Sequence, residues 1–241
     1  MTESANHYSL LTYAIVIAGL MVYQWINQRN VVAKSIKLTT SATLLNDAIQ
    51  LYYIDQFMSA TECAQLIEYV QDRFEASKVI DGTSTTVSPH RSSSSSYLNQ
   101  AETELIADIE FRAAKLLHVP LDQLESLQIV RYSGGQQIKT HFDWFDSDFV
   151  STYDNQRHYT ILVFLSDLYQ QQGGGTQFYH LNLTVQPTMG DALVWRNCHS
   201  MHEPDQKTLH AGLPPSDNTV KYGLNMFTAF HTVNYQPNRS Q

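Results

Sequence analysis

"LQIVRYSGGQQIKTHFDWF", residues 127–145, begins as a β-rich run, breaks at two glycines, and resumes as a strand-like stretch of aromatics that carries His141 and Asp143. The period here is two, the spacing of a strand whose side chains point alternately to opposite faces. More short runs of the same kind follow: "YTILVFLSDL" (159–168), "TQFYHL" (176–181), "LTVQPTMGDALVW" (183–195) and "KYGLNMFTAF" (221–230), separated by Gly, Pro and Asp turns. The chain ahead of residue 127 reads differently. "LYYIDQF" (51–57) is a strand, but "SATECAQLIEYVQDRF" (59–74) places Ser59 as an N-cap with Glu62 three residues on, a capping box ahead of an amphipathic helix. "ETELIADIEFRAAKLLHV" (102–119) predicts a second amphipathic helix. Between the two, "DGTSTTVSPHRSSSSSYL" (81–98) reads as a loop. Helices followed by many short strands predict a mainly β fold with flanking helices, an antiparallel sandwich or jelly roll (double-stranded β-helix).

Size and composition agree with a folded domain. The 241 residues suffice for one substantial core, and 43% are hydrophobic while 16% are charged. A net charge of −8 argues against a broad nucleic-acid-binding face, which needs clustered Lys and Arg, so no nucleic-acid partner is expected. Cys63 and Cys198 are the only cysteines, which excludes a disulfide scaffold and leaves any metal to histidine and carboxylate ligands. Whether they pair is open at this level.

Residues 8–26 contain 19 residues without a charge, enough for a helix to cross a bilayer core of about 30 Å, with Tyr8, Tyr23 and Trp25 near the ends. A membrane anchor in residues 1–30 is therefore expected, ahead of a removed signal peptide, whose basic start and cleavage site are missing. Residues 31–48 are polar and Ser/Thr-rich and read as a stalk, residues 49–235 as the folded domain, and 236–241 as a tail. Arg29, Lys34 and Lys37 follow the apolar stretch and favour a cytosolic domain. Asn182 and Asn238 head glycosylation tripeptides that matter only in a secretory lumen.

His141 and Asp143 stand two apart, so on a regular strand both point to one face and can meet one ion. A facial triad needs a further histidine from a distant strand, and His210 in "LHAGLPP" is the best candidate. Eleven residues later Lys221 begins a strand, where a buried cation would require an anionic partner. His158, His180, His199 and His202 lack a comparable setting.

These features, with "YYIDQFMSATEC", "RSSSSSYL", "QRHYTILVFLSDL", "GGGTQF", "VQPTMGDALVW" and "KYGL" in this order, resemble the prolyl 4-hydroxylase α-subunit family of 2-oxoglutarate/Fe(II)-dependent dioxygenases. The resemblance runs from about residue 51 to 230. It implies that His141, Asp143 and His210 bind Fe(II), and that Lys221 pairs with the distal carboxylate of 2-oxoglutarate, assisted by the hydroxyls of Tyr132 and Thr176. It further implies use of O2, release of succinate and CO2, support by ascorbate, and a proline-containing peptide or protein as substrate. Arg157 matches a family arginine near the substrate groove, with a surface salt bridge as the rival role. Residues 81–98 and 144–155 are candidates for closing over a bound peptide.

The chain also departs from the family. The interval from His210 to Lys221 is one residue longer than usual, and Phe227 and Ala229 stand where many members carry tryptophan and histidine lining the peptide site. Hydroxylation of a prolyl residue at its 4-position is the leading expectation. The same chemistry on a non-prolyl substrate, and an inactive membrane-tethered interaction module, are the alternatives. Relatives in the secretory lumen point to the endoplasmic reticulum for a eukaryotic source, against the flanking charges.

Overall fold

The computed structural model describes residues 42–81 and 83–235. The expected membrane anchor at 8–26, the first part of the stalk, Asn238 and the tail at 236–241 lie outside these residues. Among the described residues no helix is long and apolar enough to cross a membrane.

The chain is mainly β. An eight-stranded antiparallel sheet has the order β1-β2-β12-β9-β14-β7-β6-β3, and a four-stranded sheet has the order β11-β10-β13-β8. In the large sheet β1 is Ala42–Asn46, β2 Leu51–Ile54, β3 Glu75–Ala76, β6 Ser94–Leu98, β7 Leu127–Tyr132, β9 Arg157–Phe164, β12 Ala192–Arg196 and β14 Lys221–Ala229. In the small sheet β8 is Ile138–His141, β10 Thr176–Phe178, β11 Leu183–Val185 and β13 His210–Gly212. A separate hairpin pairs β4 (Lys78–Asp81) with β5 (Ser84–Val87).

Among the described residues three α-helices accompany the sheets: α1 (Ala60–Val70), α2 (Glu104–Leu117) and α3 (Ser147–Tyr153). The capping box at α1 forms as its sequence dictates: Ser59 Oγ accepts from the Glu62 N–H at 3.2 Å, and Glu62 Oε2 accepts from the Ser59 N–H at 2.7 Å. Helix α2 starts at Thr103, which caps the Ile106 N–H, and stops at His118 in a left-handed conformation.

Strand alternation divides the interior. On β9 and β12, Ile161, Val163, Ala192 and Val194 pack with Cys63, Leu66, Ile106 and Ile109 of α1 and α2. Their neighbours Leu162, Phe164, Leu193 and Trp195 turn the other way and pack with Phe178 of the small sheet. The same parity sends Leu224 and Met226 of β14 into the helix-side core, whereas Lys221, Gly223, Asn225 and Phe227 line a cavity. The entry to α1 is pinned to the sheet at Gly190, whose φ of +87° and whose missing Cβ let the Met58 carbonyl approach closely. The Met58 N–H in turn donates to the Gly190 carbonyl at 2.9 Å.

Several boundaries differ from the sequence reading. Residues 42–46, expected within the stalk, form an edge strand paired antiparallel with β2, at which Leu44 and Leu45 are exposed. Residues 81–98, expected as a loop, contain β5 and β6, and β6 is inserted between β3 and β7. Ser93, Ser95 and Ser96 are buried there because hydroxyls satisfy one another: Ser93 donates to Ser77 at 2.8 Å, and Gln128 Nε2 donates to Ser95 at 3.3 Å. Cys63 and Cys198 are both free and buried.

Candidate active site

The cavity, about 330 Å³, is lined by β7, β14 and β9 on one side and by β8 and β13 on the other. His141 ends β8, and His210 begins β13 directly opposite it. Their rings lie 4.3 Å apart between centroids. Asp143 falls just beyond the end of β8, so the two-residue strand spacing is not what brings it to His141. The turn does so, placing Asp143 Oδ1 3.5 Å from His141 Nε2 and Oδ2 3.7 Å from His210 Nε2. All three ligand-type atoms lie within 4.8 Å of one another.

Each imidazole is held at its far nitrogen. His141 Nδ1 donates to the Lys139 carbonyl at 2.9 Å, and His210 Nδ1 to the Thr208 carbonyl at 2.8 Å. With the proton on Nδ1, both Nε2 lone pairs face Asp143, the orientation that second-shell carbonyls give to metal-binding histidines. Thr160 donates to Asp143 Oδ2 at 2.9 Å while accepting from Asn197 Nδ2 at 2.9 Å, so the carboxylate is fixed as well.

Electrostatics favour cation capture. Burial alone would raise the Asp143 carboxyl, but His210, His141 and Arg157 outweigh it and hold the group well below the usual carboxylate range. Burial, reinforced by His141, pushes His210 down to about 4 against the pull of Asp143. The His210–Asp143 contact at neutral pH is therefore a neutral imidazole facing a carboxylate, a state in which His210 Nε2 is free to bind a metal.

Lys221 is buried on the same cavity wall, and burial pushes it down to about 7 with no carboxylate opposing the shift. Tyr132 pairs with it across β7 and β14, and the ammonium lies 5.6 Å from the tyrosine ring centre. Thr176 is buried with its hydroxyl lacking a partner. A buried cation without an anion and a hydroxyl without a partner, both lining one cavity, fit a bound carboxylate that would satisfy them together. Gly212 keeps this corner open, since a Cβ there would meet Ile138 at 2.9 Å and the Tyr132 hydroxyl at 3.5 Å.

Arg157 does not make a surface salt bridge. Its side chain, 11% exposed, lies beside the cavity in a two-pronged pair with Glu125, Nε to Oε1 at 2.8 Å and Nη2 to Oε2 at 2.7 Å. Tyr235 adds a donor to Glu125 Oε1 at 2.9 Å. The guanidinium lies over Phe227 at 3.6 Å and over Phe145 at 4.4 Å, so Phe227 is part of the cavity wall and half of a cation–π pair. Phe145 and Phe149 stack, and Phe145 and Trp144 both line the cavity.

Of the histidines set aside in the sequence, His158, His180, His199 and His202 do not line the cavity. His158 stacks on Phe230, and His199 Nε2 accepts from Arg196 at 3.0 Å. The sequence reading missed Thr160, Asn197, Glu125 and Tyr235, whose partners are all distant in the chain. It also missed Gln128, although Gln128 shares the strand parity of Tyr132 on β7 and was findable from that.

Comparison with known proteins places this architecture. Residues 127–229 match the model of the 2OG-Fe(II) oxygenase superfamily. A probable prolyl 4-hydroxylase 3 of Arabidopsis thaliana is 31% identical over 179 residues, covering 66% of this chain and 62% of the relative. The chain thus spans somewhat less than two thirds of the length of that relative. The fold is similar to that of the viral collagen prolyl hydroxylase vCPH of Paramecium Bursaria Chlorella virus-1 in its 2OG complex, with a TM-score of 0.60 and 24% identity over 74% of this chain and 95% of that one. It is also similar to a Trichoplax adhaerens prolyl hydroxylase in complex with a hypoxia inducible factor peptide fragment, with a TM-score of 0.55 and 16% identity over 86% and 92% of the two chains.

Proposed function

We propose that the chain, whose residues 127–229 match the 2OG-Fe(II) oxygenase superfamily model, is a 2-oxoglutarate- and Fe(II)-dependent dioxygenase that hydroxylates prolyl residues of a peptide or protein. One observation carries the reading: His141, Asp143 and His210 converge in the cavity that also holds Lys221, Tyr132 and Thr176. The prolyl 4-hydroxylases among its relatives support the substrate class.

His141, Asp143 and His210 would hold Fe(II), and Lys221 with the Thr176 and Tyr132 hydroxyls would hold the distal carboxylate of 2-oxoglutarate. Together with O2, those groups supply the oxidising power for hydroxylation, with succinate and CO2 as co-products. The protein's own part is positional. The Lys139 and Thr208 carbonyls keep both imidazoles turned toward one point, and Thr160 keeps the carboxylate there. Arg157, clamped by Glu125, and Phe227 form the wall on which a substrate side chain would lie. Ascorbate is expected to sustain activity during turnovers in which no substrate is hydroxylated.

Phe227 and Ala229 favour a second reading, the same chemistry on a non-prolyl residue, because an aromatic ring already covered by Arg157 offers a different surface from the usual tryptophan and histidine. Succinate release by the full-length chain, with and without a proline-rich peptide, separates the two. Peptide-stimulated succinate and one added oxygen on proline support the prolyl reading. Succinate release that the peptide does not stimulate moves the assignment to another substrate.

Residues 8–26 are read as a single-pass anchor, supported by their uncharged length. An endoplasmic reticulum or other secretory membrane is the proposed location in a eukaryotic source. Extraction by detergent but not by alkaline carbonate tests the anchor, and release by carbonate counts against it.

A further inference from the structure

The cavity carries more positive charge than iron and 2-oxoglutarate use. Lys221 faces the proposed cosubstrate corner and Arg157 is neutralised by Glu125, yet Lys78, Arg91 and Lys139 also line the opening. Among the described residues lining it, Asp143 is the only carboxylate. This is a local reversal on a chain whose net charge is −8.

Arg91 is a fixed cation. Its Nε donates to Ser93 Oγ at 3.2 Å and its Nη2 to Ser95 Oγ at 3.3 Å, so neutral hydroxyls hold it in place and leave its charge unbalanced. Its positive field reaches Tyr132 and Tyr97 on the cavity wall. The backbone sets its distance from the proposed metal site. Arg91 bridges to Ile138 on β8, three residues ahead of His141, and the Lys139 N–H donates to the His90 carbonyl at 2.9 Å. Three strand residues span about 10 Å.

We propose that Arg91, with Lys78 and Lys139 beside it, binds an acidic side chain of the substrate, so that the preferred substrate is a peptide with Asp or Glu near the hydroxylated residue. This rests on the peptide-hydroxylase reading above. An extended peptide advances about 3.1 Å per residue, which puts the acidic residue about three positions from the target. A guanidinium oriented by two hydroxyls is suited to a planar carboxylate, and the lysines raise its encounter rate. A nucleic acid would share the charge preference, but its length of phosphates needs a broad basic face, against which the net charge of −8 argues.

The test measures binding of three labelled proline-rich peptides to the full-length chain loaded with Mn(II) and 2-oxoglutarate. The peptides differ only in carrying Glu, Gln or Lys three residues to either side of the target. The acidic peptide is expected to bind about ten-fold more tightly than the neutral one, as for a charge-assisted hydrogen bond. The basic peptide should bind weakest, and added salt should narrow the gap. Arg91→Gln should remove the preference, and Lys139→Glu, on an exposed side chain, should reduce it without risk to folding. Equal binding of all three peptides overturns the proposal. So does a uniform loss for all three in the variants, or a single-stranded oligonucleotide that binds more tightly than the acidic peptide. Failure of the prolyl reading looks different: the charge order in binding persists, while with Fe(II) in place of Mn(II) and O2 supplied no peptide gains oxygen on proline.

Discussion

Lys221 shows how one residue's burial becomes a functional expectation. Its pKa is pushed down to about 7 by desolvation, and a carboxylate seated against it favours the ammonium form. Binding 2-oxoglutarate above that pH therefore takes up a proton, so affinity falls as pH rises from 7 to 9, by up to about ten-fold per unit. In Lys221→Arg the side chain stays charged and this slope should vanish, even if the absolute affinity drops. Calorimetric titrations at several pH values check both statements, and a pH-independent affinity in the unmodified chain refutes them. Glu125 makes a second case. Glu125→Gln leaves the Arg157 charge buried without its partner and should cost about 3–5 kcal/mol of stability. Tyr235→Phe removes only one of the bonds to Glu125 and should cost about 1 kcal/mol. Denaturant melts that rank the two variants in the opposite order would show that the pair is not the main stabilising contact there.

Among the elements, those that declared themselves in sequence have strong local chemistry. The start of α1 was readable because the Ser59 and Glu62 side chains each accept from the other's backbone N–H within one turn. Ser59→Ala should lower stability by about 1 kcal/mol. Gly190→Ala should cost more, at least about 2 kcal/mol, since it adds strain at φ +87° to a clash with the Met58 carbonyl. Chemical denaturation of the two variants measures the difference. Strand β6 was not readable. Serine has little strand preference, and the groups that make burial tolerable, Ser77 and Gln128, come from β7 and from the segment between β3 and β4. Asp143 was placed correctly near His141 but for an incomplete reason, because β8 ends at His141 and a turn completes the approach.

At the scale of the whole molecule, legibility follows the same division. The motifs around His141, His210 and Lys221 pointed to one site because the residue types themselves are informative, and the alternation of β14 explains why Lys221 and Phe227 share its wall. The supports of that site were hidden: Thr160 and Asn197 stand 37 positions apart, and Glu125 and Tyr235 110 apart, so only the closed fold reveals them. The two sheets bring these distant residues to one cavity between them, and the central claim is that this cavity holds a metal through His141, Asp143 and His210. The measurement that tests it most directly is anaerobic titration of the full-length chain with Fe(II) in the presence of 2-oxoglutarate, repeated for His141→Ala, Asp143→Ala and His210→Ala with folding verified by circular dichroism. The account predicts one tightly bound ion per chain and its loss in each variant. Unchanged stoichiometry and affinity in all three folded variants would contradict it.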